Sequence, residues 1–102
     1  MFRRIDEFGY INDEEYTKRR AILKAKQGYG DAYIRYFLKR LSISEELIER
    51  ALHDIPDEIS EEKRIIMNIK KRREMQREKL IRYLSNRGFN YETILHTLDG
   101  DT

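Results

Sequence analysis

The sequence predicts an all-α protein built as tandem three-helix repeats in an elongated array. Three observations point there. Charged residues make up 39% of the 102, as many as the hydrophobic ones, and the apolar positions recur three or four apart, as on amphipathic helices. A single proline, Pro56, divides the chain into two stretches of similar pattern. The two stretches also match each other: with residue 83 set under residue 37, FLKRLSISEELIERAL lies over YLSNRGFNYETILHTL.

The first helix is expected from Asn12 or Asp13, with Glu15 completing a capping box and Glu14 favouring the positive helix end. Lys24 and Lys26 suit its other end, and Gly28-Tyr29-Gly30 stops it. The second carries Ile34, Phe37, Leu38 and Leu41 in one stripe, extended by Tyr33. The third opens at Ser44, with Ile43 and Ile48 placed as a hydrophobic staple and Leu47, Ala51 and Leu52 on its apolar face.

After Pro56 the plan returns. DEEYTKRRAILK from Asp13 lies over SEEKRIIMNIKK from Ser60, and the staple recurs as Phe89 with Ile94 around Asn90. The repeat is thus about 46 residues long. It divides the chain into residues 1–12 as a linker or the end of a preceding repeat, 13–55 and 60–99 as repeats, 56–59 as a linker and 100–102 as a tail. The Gly-Tyr-Gly break has no counterpart in KKRREMQREKL, so residues 60–87 could form one helix about 42 Å long. A turn near Glu74 to Gln76 is the favoured alternative.

Composition narrows the function classes. Zero cysteines exclude disulfides, thiolate metal sites and a Cys nucleophile. No apolar run approaches the roughly 20 residues of a membrane helix, and MFRRIDEF lacks the apolar core of a secretory signal, so a cytoplasmic protein is expected. His53 and His96 sit at the ends of corresponding helices without a catalytic companion, and the Glu pairs at 14–15, 45–46 and 61–62 follow helix starts, where the dipole accounts for them. No enzyme, cofactor or metal is expected. Tyr16, Tyr33, Tyr36 and Tyr83 fall on or beside apolar stripes and are expected at the core or its edge, with Tyr10, Tyr29 and Tyr91 freer.

The functional signal lies in the basic residues. From Lys63 to Arg87 ten basic residues face two acidic ones, although the whole chain carries only +2. Candidate partner-binding or DNA-binding residues are Lys18, Arg20, Lys24, Lys26, Arg35 and Lys39 in the first repeat. In the second they are Lys70, Lys71, Arg72, Arg73, Arg82 and Arg87. Stacked, they would form a stripe suited to a phosphate backbone or an acidic protein groove.

FGYINDEEY, KQGYGDAYIRYFLKRLSI and LIRYLSNRGFNYETI, in this order and spacing, resemble the RecX regulatory proteins of bacteria over nearly the whole chain. The signature positions are Gly9, Tyr10 and Asp13, then Gly28 and Gly30, then Arg87, Gly88 and Phe89. The family usually has a further repeat before the Gly-Tyr signature, so this chain looks like the C-terminal two repeats or a shortened member. Two other positions depart from the pattern: Asp31 stands where proline is common, and Ser42 stands where a glycine is usual. The resemblance implies tandem three-helix repeats and binding to the RecA–DNA filament. The expected effect is suppression of RecA ATPase and strand exchange by a monomer, with weak direct DNA contact and no active site.

Overall fold

The structure, a computed structural model, describes residues 13–99. The all-helical expectation is borne out: these residues form six α-helices and one 3-10 turn, with no strand among them. They are α1 (Asp13–Lys26), α2 (Asp31–Arg40), α3 (Glu45–His53), the 3-10 turn (Asp57–Ile59), α4 (Glu61–Lys71), α5 (Arg77–Asn86) and α6 (Tyr91–Asp99). The cap proposed at Asn12 and the signature residues Gly9 and Tyr10 lie outside the described residues, as does the side chain of Asp13.

Local chemistry accounts for the helix starts. Ser44 Oγ accepts from the Leu47 N–H and Ser60 Oγ from the Lys63 N–H, each at 3.3 Å. Asn90 Oδ1 accepts from both Glu92 N and Thr93 N. Each relieves donors that a helix N-terminus leaves unpaired, contributing about 1 kcal/mol. The segment from 60 to 87 is two helices, with the break over residues 72–76 where a turn was favoured.

Helices α1, α2 and α3 pack around Ala21, Ala25, Ile34, Leu38, Ile48 and Ala51, while α4, α5 and α6 pack around Ile65, Leu80, Leu84, Phe89 and Ile94. Positions 46 apart play matching parts: Ile34 and Leu80, Leu38 and Leu84, Ile48 and Ile94 are all buried. Each such Leu or Ile contributes about 1.5–3 kcal/mol by leaving water. With an apolar cluster in each half, the molecule is elongated, measuring 49 × 21 × 20 Å.

Two tyrosines differ from the sequence reading. Tyr36, expected at the core edge, is 56% exposed and lies beneath the Arg40 guanidinium. Tyr29, expected to be freer, is half-buried and stacks on Tyr33 with ring centroids 4.1 Å apart. The stripe arithmetic placed residue 36 one step too close to the core, and the chain reversal at Gly28 folds Tyr29 back onto α2.

Candidate functional site: a polar joint and an open basic turn

Two features stand out once the helices are in place. The first is the joint between the two halves. Helix α1 ends at Lys26, and the chain turns through Gly28 at φ 89°. This leaves the carbonyls of Gln27, Gly28 and Tyr29 needing donors, and the second half supplies them. Arg87 donates from Nη2 to Gln27 O at 2.7 Å and from Nε to Gly28 O at 3.2 Å. Asn68 Nδ2 donates to Gly28 O at 3.1 Å, and Arg64 Nη1 to Tyr29 O at 2.7 Å. Two cations thus meet the negative end of α1.

The joint is also tied through the backbone. Gly30 N–H donates to Arg87 O and Ala32 N–H to Gly88 O, at 2.9 and 3.0 Å. Gly88, at φ 100°, lies so close to Tyr33 that a Cβ there would be 2.5 Å from the Tyr33 backbone nitrogen. Arg64, only 2% exposed, holds Asp31 Oδ1 through Nη2 at 3.0 Å and Ile59 O through Nε at 2.8 Å. Asp31 N–H donates to Glu61 Oε2 at 2.9 Å. Burial pushes the Glu61 carboxyl above its ordinary value, the Asp31 N–H and the nearby Arg64 and Arg35 pulling the other way.

Four of the described signature residues therefore gather in one place. Gly28, Gly30, Arg87 and Gly88 all form the joint, and Phe89 is buried in the second core. Residue 31 explains its own departure from the family pattern, since a proline there has no N–H to give Glu61 and no carboxylate to give Arg64. Glu61, Arg64 and Asn68 are joint residues that sequence reasoning missed. The available signal was Arg64 and Asn68 at i, i+4 beside the apolar pair Ile65 and Ile69, a polar stripe bordering a buried one.

The candidate basic residues divide into three environments. Lys18, Arg35 and Lys39 are held in ion pairs, with Asp54 at 3.7 Å, Glu49 at 2.6 Å and Glu45 at 3.5 Å. The Arg35 hydrogen bonds hold Glu49 below its ordinary carboxylate range. Four others lie over rings: Arg20 over Tyr16 and Phe37, Lys24 over Phe37 at 4.5 Å, Arg72 over Tyr83 at 4.3 Å and Arg87 over Tyr29 at 4.1 Å. The remaining five, Lys26, Lys70, Lys71, Arg73 and Arg82, are exposed and make no ion pair with a described residue.

The second feature gathers several of these cations. Lys70, Lys71, Arg72, Arg73, Glu74, Met75, Gln76 and Lys79 line an open concavity of about 790 Å³ at the α4–α5 turn. Among the described residues no helix is long and apolar enough to cross a membrane.

Fold and site together define a small all-helical protein of two packed three-helix groups, with a built joint and an uncovered basic turn. Its sequence is similar to proteins named Regulatory protein RecX. The one from Caldanaerobacter subterraneus subsp. tengcongensis is 33% identical over 91% of this chain and 48% of its own length. Those from Vibrio vulnificus and Vibrio parahaemolyticus are 28% and 26% identical over 93% and 90% of this chain, covering 65% and 63% of their own lengths. The chain is a relative of the RecX regulatory proteins, and it spans about half to two thirds of the length of the curated relatives it matches. No family model and no solved structure matches it.

Proposed function

We propose that this chain acts as a RecX-type regulator, docking without chemistry of its own on a RecA–DNA filament and lowering RecA ATPase and strand exchange. The observation that carries the reading is the match to proteins named Regulatory protein RecX along about 90% of the chain. The joint supports it. A rigid rod that lodges in a filament needs a fixed angle between its parts, and the signature residues Gly28, Gly30, Arg87 and Gly88 set that angle. In this reading residues 13–55 and 60–99 are the two repeat units, working as a monomer in the cytoplasm.

The test is the single-stranded-DNA-dependent ATPase of a cognate RecA during titration of this chain, beside a binding control with DNA and no RecA. Inhibition beyond what DNA competition explains supports docking on the filament. An unchanged ATPase at saturating chain rejects it. A second reading, a helical nucleic-acid-binding module, draws on the unpaired cations at the α4–α5 turn.

A further inference from the structure

The α4–α5 turn and the α1–α2 turn occupy matching places in the two halves, 46 residues apart. The α1–α2 turn is covered by the joint; the α4–α5 turn is not covered by any described element. It is also not built to receive a further unit in the same way. Glu74 and Gln76 stand where the joint requires Gly28 and Gly30, and a Cβ at Gly30 would overlap the docked Gly88-Phe89 backbone. What the turn offers is charge. Lys70, Lys71, Arg73 and Lys79 line its concavity, all exposed and none paired with a described carboxylate, even though Glu74 shares the rim. In the first half, by contrast, Lys18, Arg35, Lys39 and Arg50 are each held by a carboxylate.

The residue types decide what kind of partner fits. Protein interfaces are anchored by buried aromatics, Met and Arg and are depleted in Lys. Here three of the four free cations are lysines, and the adjacent Arg72 is spent on Tyr83. No exposed aromatic lines the concavity. Lysines arrayed around an open hollow suit a run of phosphates, read for charge and not for sequence. The uncapped start of α5 at Gln76 adds the positive end of a helix dipole to the same hollow.

We infer that the α4–α5 turn is a nucleic-acid backbone site, in which Lys70, Lys71, Arg73 and Lys79 neutralise successive phosphates of a strand. The site stands apart from RecA docking and acts in the isolated chain. It assigns the run from Lys70 to Arg73 to the nucleic acid, leaving the filament protein to other faces of the rod.

The experiment is fluorescence anisotropy of a labelled oligo-dT of about 16 nucleotides with the full chain and no RecA, titrated in salt. Four phosphate contacts predict a slope near −2.8, so affinity falls about fifty-fold between about 50 and 200 mM salt. The variant Lys70→Gln/Lys71→Gln/Arg73→Gln/Lys79→Gln should lose both the affinity and the slope while keeping its helical circular dichroism. The control Arg50→Gln/Lys63→Gln, also exposed but two charges poorer where the quadruple variant is four poorer, should stay within about twofold of the parent. Absent binding at low salt, or an unaltered quadruple variant, overturns the assignment. So does a poly-glutamate peptide of equal charge competing as well as unlabelled oligo-dT, which would make the hollow an acidic-protein site. The RecA ATPase is read separately, so a failed phosphate site leaves the docking proposal standing.

Discussion

Gly30 and Gly88 meet backbone to backbone across the joint. A Cβ placed on Gly30 would lie 2.6 Å from Phe89 N and closer still to the Gly88 carbonyl. Gly30 itself has an ordinary extended backbone, φ −84° and ψ 168°, so its need for glycine comes from its neighbour and not from its own dihedrals. Gly30→Ala should therefore open the joint, costing about 3 kcal/mol by overpacking, and should raise hydrogen exchange at the Gly30 and Ala32 amides. Unchanged exchange at those two amides would show that the joint absorbs the methyl group.

Arg64 is the buried cation of the same joint. Arg64→Met keeps the bulk but leaves Tyr29 O and Ile59 O without a donor and Asp31 without its cation. A loss of about 2–3 kcal/mol in urea denaturation is expected, discounted for the partial exposure of Asp31. Arg64→Lys, which can satisfy only part of the set, should fall between the parent and the Met variant.

The helices and their caps were legible in the sequence because their causes are local. Ser44, Ser60 and Asn90 reach donors within three residues, and the stripes of α2 and α5 follow from 3.6-residue periodicity. The joint was not legible, since Arg64 meets Asp31 across 33 residues, Asn68 meets Gly28 across 40 and Arg87 meets Gln27 across 60. From sequence alone a charged residue on an amphipathic helix reads as solvated, and only the docking of one half on the other reveals which cation is buried. The glycines were recognised as turn residues. That Gly30 and Gly88 serve each other required the fold.

Glu61 gives the joint a pH dependence of definite sign. Its folded form holds a proton more tightly than the unfolded chain does, because burial disfavours the carboxylate. Stability from this group therefore falls as pH rises from the ordinary value of 4.5 through the raised one, and is flat above it. Glu49, held low by Arg35, acts oppositely, losing stability as pH drops below 4.5. Glu61→Gln should flatten the urea midpoint above pH 4.5 and leave the acid limb intact; a parent midpoint that rises with pH across the upper window would contradict this.

The Arg35–Glu49 pair is two-pronged but largely exposed, with Nε at 2.6 Å and Nη2 at 3.1 Å from the two carboxylate oxygens. A double-mutant cycle with Arg35→Gln and Glu49→Gln should give a coupling of about 0.5–1 kcal/mol at low salt. The coupling should shrink toward zero near 1 M salt, where screening reaches about 3 Å.

Ser42 adopts φ 65°, the left-handed region that Gly88 occupies at the matching place in the second half. Ser42→Gly should relieve that conformation and stabilise the protein by about 0.5–1 kcal/mol, visible as a rise in the thermal midpoint. A fall in the midpoint would mean that the flexibility glycine adds to the unfolded chain outweighs the relief.

The joint gives the molecule the character of a caliper. Because backbone hydrogen bonds and two facing glycines hold its halves at one setting, any surface long enough to touch both ends of a 49 Å body meets them already spaced. The entropy of arranging two gripping points is then spent during folding and not during capture, so two individually weak contacts combine into a firm hold. Under the docking proposal, a target whose repeat matches that spacing would be retained, and one stretched or compressed away from it would be released. Gly30→Ala would blunt this discrimination while leaving each end as adhesive as before.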